Sequence, residues 1–370
     1  MDTGATLTPA ATRPGARART AFAQATFANA AFAQAAFAQA AFAKAAFAAA
    51  TLSAALAAAA LAGSAAQAQT PDFPTRTITL IVPFPPGGFV DASARLLQPE
   101  LEKRLGRSIV IDNRVGAGGA VGTQAVVRAE PDGHTLLAVA SSHAVAPAVN
   151  PNLSYDTVKD LAPVVMIARD PMLFVVNDKL PAKSLKELAE LARTKAGGLN
   201  YSSPGFGSQT QFIAELFNLR AGVKITHVPF RGGAPALQAV VQGDVEFTIL
   251  SGQVTLPQIE NGAIRALALG GSERDPRTPS TPTVAEAGFP DVVAIQWVGL
   301  FAPARTPQAV VARINAAVND ALREKGVRDR LATQGMTALG GAPDVLGQAV
   351  ETEVPLWKDI AQKAKMKLAD

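Results

Sequence analysis

The sequence predicts an α/β protein whose two lobes enclose a ligand cleft. Three features carry this expectation. After residue 69, short β-rich runs alternate with amphipathic stretches, the pattern of largely parallel sheets covered by helices. The roughly 300 residues involved are many for a single open sheet, which favours two lobes. Two extended runs, at 164–176 and 294–303, are long enough to cross from one lobe to the other.

In chain order, β-branched and apolar runs predict strands at 78–82, 109–112, 135–140, 164–168, 173–176, 200–202, 225–229, 245–249 and 266–269. Helices fall between them. Over 91–105 the residues Ala94, Leu97, Leu101 and Leu105 share one face, and helices are also expected at 123–129, 235–243, 306–325 and 342–364. Asp170-Pro171 lies in the middle of the first crossing run, and the second follows the turn-rich stretch 276–290. With both runs as crossings, residues 69–170 and 299–370 form one lobe and 171–298 the other, with the site in the cleft between them.

Residues 1–68 are Ala-dominated, with Phe22, Phe27, Phe32, Phe37, Phe42 and Phe47 spaced by five. Five matches neither 3.6 nor 3.5, so successive rings drift by about 140° around a helix and build no core stripe. From Lys44 the composition is that of a signal peptide: a basic residue, an apolar stretch at about 45–62, then Ala66-Gln67-Ala68 with cleavage at 68/69. Export is expected. A membrane anchor would need a more apolar stretch and a basic stop-transfer flank.

The whole chain has 34 basic and 30 acidic residues, but the leader carries Arg13, Arg17, Arg19 and Lys44 against Asp2, leaving 30 against 29. A nearly neutral mature chain gives no reason to expect nucleic acid as a partner. The absence of cysteine excludes disulfides, thiolate nucleophiles and Cys-ligated zinc. His134, His143 and His227 are scattered with no metal-ligand spacing, so no metal is expected. Neither a G-K-[ST] phosphate loop nor a G-x-S-x-G elbow is present, and the Gly116–Gly122 run has GxGxxxG spacing, which reads as a turn before a helix.

Two loops can carry chemistry. The first strand runs into Pro83-Phe84-Pro85-Pro86-Gly87-Gly88-Phe89-Val90-Asp91, with Asp91 expected to cap the helix that follows. A glycine turn between a strand end and a helix N-terminus offers free N–H groups and the positive end of the helix dipole to an anion. A tight turn alone explains the glycines equally well. The second lobe repeats the arrangement in Ser202-Ser203-Pro204-Gly205-Phe206-Gly207-Ser208-Gln209-Thr210. Two such loops, one per lobe, would face each other across the cleft. Further strand-end candidates are Ser142, Phe230 and Ser251, while Arg231 is either a carboxylate partner or an exposed side chain and His143 either lines the cleft or packs.

Taken in order, several stretches resemble the Bug family of extracytoplasmic receptors, the substrate-binding components of tripartite tricarboxylate transporters. They are Phe73-Pro74-Thr75-Arg76, Val82-Pro83-Phe84 with Gly87-Gly88 and Asp91, Asn113-Arg114 with Gly116 to Gly119, and Pro131 to Leu136. Tyr201-Ser202-Ser203 with Gly207-Ser208, His227 to Gly233, and Trp297 to Pro303 complete the series. The resemblance covers essentially the whole mature chain. It implies a two-lobed periplasmic-binding-protein (flytrap) fold, a periplasmic location, no cofactor and no catalytic residues. It also implies a small carboxylate held between the two loops and integral membrane transporter subunits as partners. A monomer is expected. The ligand-binding candidates are Phe84, Gly87, Gly88, Phe89, Asp91, Ser142, Ser203, Gly207, Ser208, Gln209, Thr210, Phe230 and Ser251.

Three departures from the family pattern remove polar groups from the cleft rim. Phe89 and Val90 stand where members carry small or polar residues, Gln211 where a histidine is common, and Leu250-Ser251 where an aspartate is frequent. These favour a monocarboxylate with an apolar or aromatic body, packed by Phe84, Phe89, Phe206 or Phe230. The rival readings are a sensor subunit presenting ligand to a membrane kinase, and an exported carboxylate-processing enzyme using His143 with Asp91.

Overall fold

β-Branched runs and glycine-rich strand ends give the strands and turns of the computed structural model, which describes residues 72–366. The leader, its apolar stretch and the 68/69 cleavage point lie outside the described residues. The first half of the chain alternates β1 (Ile78–Val82), α1 (Phe89–Leu105), β2 (Ile109–Asn113), α2 (Ala120–Val127), β3 (Thr135–Ala140) and α3 (Ser142–Val149), and then enters the long strand β4 (Leu161–Asn177). The middle continues with α4 (Leu185–Thr194), β5 (Leu199–Ser203), α5 (Gln209–Ala221), β6 (Ile225–Pro229), α6 (Gly233–Gln242), β7 (Phe247–Ser251), α7 (Gly252–Glu260) and β8 (Ile264–Leu269). After a long loop come β9 (Ile295–Pro303), α8 (Gln308–Arg323), α9 (Lys325–Thr333), β10 (Thr337–Ala338) and α10 (Pro343–Lys363).

The predicted strands are all present, with 245–249 displaced to Phe247–Ser251. The runs 164–168 and 173–176 are one 17-residue strand. Residues up to Pro171 pair with β9, and from Met172 onward the partners are β7 and β8. Pro171 lacks an N–H, and its place at this change of partners is where a missing ladder bond disturbs least. The predicted helix 306–325 is α8 and ends at Arg323, because Glu324 is extended. The elements α3, α4, α7, α9 and β10 are not among those predicted. For α4 a signal existed: Ser184 Oγ accepts from Glu187 N while the Glu187 carboxylate accepts from Lys183 N, a capping arrangement legible as Ser-x-x-Glu.

The first sheet has the order β2-β1-β3-β9-β4, with β1 parallel to β2 and β3 and β9 antiparallel to both its neighbours. In the second, β7 and β8 flank the later part of β4, β5 lies parallel beside β7, and β6 beside β5. Where the sheets meet, Met172 N donates to Ala294 O at 2.8 Å, Gly270 N to Met172 O at 2.8 Å and Ala294 N to Gly270 O at 3.1 Å. A Cβ on Gly270 would stand 2.2 Å from Ala294 O, so only glycine permits this approach.

The faces of the sheets differ. On one, a single apolar cluster runs across both sheets: Ile81 and Leu137 of the first join Phe174 and Tyr201 of the second, Phe212 and Phe217 of α5, and Trp357 of α10. The Phe212 and Trp357 rings meet edge to face, with centroids 5.9 Å apart. On the other face the apolar residues form two clusters, one around Leu80, Leu97, Ile314 and Leu331, the other around Leu173, Leu237, Val240 and Ile264. The two lobes are thus welded on one side and divided on the other. Phe212→Ala opens a cavity in the weld and is expected to cost about 3–5 kcal/mol in urea unfolding, in one transition that includes both lobes.

Candidate functional site

Between β1 and α1 the chain turns at Gly87, whose φ of +80° suits glycine. The helix begins at Phe89 with Gly88 as its cap, so Asp91 is not the cap but the third helical residue. From there its carboxylate reaches back. Oδ2 accepts from Gly87 N and from Arg95 Nε, both at 2.8 Å, and Oδ1 accepts from Asn113 Nδ2 at 2.9 Å. Burial alone would raise the Asp91 pKa, but these donors outweigh it and hold the carboxyl below its ordinary value. Asn113 also donates to Phe84 O at 3.0 Å, which ties the loop to β2. Gly88 N donates to Pro85 O at 3.3 Å. Both glycine N–H groups are therefore committed within the loop, and the donors left for an anion are the first-turn N–H groups from Phe89 onward, which have no intrahelical carbonyl.

The second loop is organised similarly. Ser208 caps α5 by accepting from Gln211 N at 3.4 Å and donates to Gly205 O at 2.7 Å. Ser203 Oγ lies 2.6 Å from His227 Nε2 and accepts from Gly205 N at 3.1 Å. Thr210 Oγ1 donates to Ile249 O at 2.8 Å, and Gln211 Oε1 accepts from Gly207 N at 2.7 Å. The side chains named as ligand donors are thus bonded to their own fold, and the main-chain N–H groups of Gln209 and Thr210 take over as the available first-turn donors.

Gln209 connects the lobes. Its Oε1 accepts from Ser141 Oγ at the end of β3, and its Nε2 donates to Ile295 O at 2.8 Å. Since β3 is the immediate neighbour of β1, the first turn of α5 is set beside the strand end that carries the first glycine loop. A Cβ on Gly207 would lie 3.0 Å from Val149 of α3, the helix that Ser142 begins. Ser251 ends β7 and caps α7, its carbonyl accepting from Thr255 Oγ1 at 2.9 Å.

The aromatic candidates separate. Phe84 and Phe89 are half-buried against the first-lobe cluster, and Phe230 packs on the second-lobe cluster. Phe206 is 68% exposed, edge-on to His227 at 5.2 Å. Arg231 is exposed. His143 is buried between Tyr155 and Phe301, and burial pushes its pKa down to about 4, which makes it a neutral packing group. The catalytic pairing of His143 with Asp91 therefore finds no support: each is engaged separately. The Gly116–Gly122 run is a packing element, since a Cβ on Gly122 would stand 2.8 Å from Pro83 Cβ. Among the described residues no cluster of three or more His, Cys, Asp or Glu could hold a metal.

Two buried carboxyls carry no signal in the sequence. Burial raises Glu353 to about 7 although Trp297 Nε1 donates to it at 2.9 Å and Trp357 Nε1 at 3.4 Å. Burial likewise raises Asp170 to about 7, with Arg277 opposing.

This two-lobed α/β architecture, with a glycine loop at a strand end in each lobe, is that of a periplasmic-binding-protein type of solute receptor. Residues 93–366 match the family described as "Tripartite tricarboxylate transporter family receptor", and the chain belongs to it. It is 36% identical to Protein BugT of Bordetella pertussis over 306 residues, which cover 82% of this chain and 94% of that one. Among solved structures it resembles MatC from Rhodopseudomonas palustris with bound malate (40% identity, TM-score 0.66, covering 78% of this chain and 99% of that one). It also resembles R. palustris Rpa4515 with adipate (36% identity, TM-score 0.68, covering 80% and 99%). The chain is accordingly a receptor and not an enzyme.

Groups raised by burial bind protons more tightly in the folded state. The stability that Asp170 and Glu353 contribute is complete below about pH 4 and is lost as pH rises through 7. Each tenfold difference in proton affinity between the folded and unfolded states is worth about 1.4 kcal/mol. The lowered carboxyls, Asp91 among them, act in the opposite sense and at lower pH. His143 and His227, both lowered by burial to about 4, add stability as pH rises through 6.5 and offset part of this loss in any one protein. The carboxyl contribution is therefore read as a difference: between pH 5 and pH 8 the unfolding free energy in urea should fall by a few kcal/mol relative to that of the Asp170→Asn, Glu353→Gln double variant, in which the histidine contribution is the same.

Proposed function

We propose that this protein is an exported, periplasmic receptor that binds a small carboxylate in the cleft and delivers it to the membrane subunits of a tripartite tricarboxylate-type transporter. The leader is read as a cleaved signal peptide, and the lobes as residues 69–170 with 299–370 and residues 171–298. Among the described residues no helix is long and apolar enough to cross a membrane. Relatives that hold malate and adipate support a carboxylate as the ligand class.

The observation that carries this reading is the pair of helix N-termini, α1 and α5, at the strand ends of opposite lobes. Each presents first-turn N–H groups, while the neighbouring side-chain donors are occupied by the protein itself. Four charge-assisted bonds at roughly 1.5–3 kcal/mol give about 6–12 kcal/mol before ordering and closure are subtracted. Micromolar affinity requires about 8 kcal/mol. The anion contacts are therefore marginal alone, and apolar burial against Phe84, Phe89 and Phe230, at about 25 cal/mol per Å², supplies the remainder and selects the ligand.

A thermal-shift panel of mono-, di- and tricarboxylates, aromatic acids, amino acids and their neutral amides tests the class. A ligand at about 100 times its Kd adds ~2.7 kcal/mol, a rise of several degrees, and its amide should add almost nothing. A flat panel on folded protein, freed of carried-over ligand by unfolding and refolding, would sink the proposal. The main-chain contact is tested separately. Phe89→Pro removes one N–H at a helical position that tolerates proline, and Phe89→Ala removes only the ring. The proline variant should bind carboxylates about tenfold more weakly than the alanine variant, the loss of one charge-assisted bond.

A further inference from the structure

A cavity of about 370 Å³ lies beside the junction of the two sheets, and no residue of either glycine loop lines it. One wall is the segment that follows β8, from Gly271 to Arg277, together with Leu269. The other is Ala332 of α9 with Gly335 to Thr337 at the start of β10, and Arg169 and Pro171 of β4 complete the lining. The register fixes Arg169 here, opposite Thr337 in one ladder and Trp297 in the other. Leu269 and Met336 belong to the two separate apolar clusters of the divided face, so the cavity lies between them. Arg277 spans the same junction: a Cβ on Gly252 would stand 3.5 Å from its Nη2, and one on Gly335 3.6 Å from its Nη1.

Three arginines line this cavity, and two of them are matched. Arg274 Nε donates to Glu286 Oε2 at 2.9 Å, and Arg277 Nη2 donates to Asp275 Oδ2 at 2.5 Å. Arg169 differs. It forms no ion pair among the described residues, and its Nε is sealed from solvent with no hydrogen-bond partner. A buried carboxyl relieves such isolation by taking up a proton, whereas a guanidinium stays charged at any ordinary pH. Its acceptor must therefore come from outside. Glu273, the remaining charge in the lining, is exposed, so water screens it. Ser272 and Thr337 add exposed hydroxyls to the wall.

We infer that this cavity is a binding site for a small phosphate- or sulfate-type oxyanion, free or carried on a small organic body, with Arg169 as its anchoring donor. Such an anion supplies the two things that the guanidinium lacks, a countercharge and a pair of acceptors matched to its planar fork. Water would supply acceptors without the charge. The volume falls in the range of small-molecule sites, which leaves room for an organic substituent beyond the oxyanion. The site is separate from the cleft and does not depend on the carboxylate-receptor reading. An occupant touches the exit of β8 and the start of β10 at once, and so ties the sheets together on the face where their apolar clusters are divided.

Calorimetric titration of the folded protein with inorganic phosphate, sulfate and glycerol 3-phosphate at fixed ionic strength tests the site. At least one should bind with one-to-one stoichiometry, and the tighter of phosphate and glycerol 3-phosphate tells a free ion from an ester. Arg169→Gln should weaken that binding about tenfold or more, the loss of a charge-assisted contact. Arg169→Lys, the variant to use should glutamine not fold, keeps the charge but loses the fork and should weaken it about threefold or more. Arg128→Gln, at an exposed arginine just after α2, should change it less than about twofold. Failure of all three anions to bind, or binding that is unchanged in both Arg169 variants, overturns the site. Binding that weakens in Phe89→Pro and not in Arg169→Gln belongs to the cleft and overturns it as well. Each of these results leaves the carboxylate-receptor reading standing, since that reading is tested by the carboxylate panel.

Discussion

The continuous apolar face that joins the two lobes is the constraint on which the rest of the molecule depends. Phe174, Phe212, Phe217 and Trp357 lie in the same cluster as Ile81 and Leu137, and β4 threads through both sheets beneath them. Burial on this scale holds the two sheets together along this face, while on the opposite face the clusters are distinct. Gly270 and Ala294 clasp Met172 where the sheets meet, and a Cβ on Gly270 would stand 2.2 Å from Ala294 O, which leaves no room for a side chain. The junction is thus defined by main-chain packing at one point and by aromatic packing along one face.

Within that frame the polar groups of the cleft loops divide into two kinds. Asp91, Asn113, Ser203, Ser208, Thr210 and Gln211 bond to the protein and hold the loops in shape. The first-turn N–H groups of α1 and α5 have no partner in their own helices. Gln209 belongs to the first kind with a difference, since its two bonds run to Ser141 and Ile295 and so register the angle between the lobes.

Much of the fold was legible because its signals are local. β-Branched runs, glycine after strand ends and the 3.6-residue stripe of α1 all depend on neighbours in sequence. What was hidden depends on distant residues. Whether Gly88 or Asp91 begins α1 is decided by Asn113 and Arg95, which draw the Asp91 carboxylate back over the turn. The hydroxyls of Ser203 and Thr210 look like ligand donors until His227 and the Ile249 carbonyl are placed beside them. The helices α3 and α7 are only 8 and 9 residues long, too short to show a 3.6-residue stripe, and each is interrupted by a proline, Pro147 and Pro257. β10 is two residues long and exists only because β4 pairs with it. The burial of Asp170 is a property of the crossing alone, since nothing in Arg-Asp-Pro marks a carboxylate that ends only 1% exposed.

The available donors of α1 and α5 are main-chain atoms, and this has an evolutionary consequence. Substitution cannot delete a peptide N–H except by introducing proline. Drift can therefore rewrite every side chain that borders the cleft, altering its depth, polarity and shape, while these donors persist in each descendant. Under the proposed binding mode, a lineage built on this plan can diversify its recognition one wall residue at a time without passing through a form that has lost its grip.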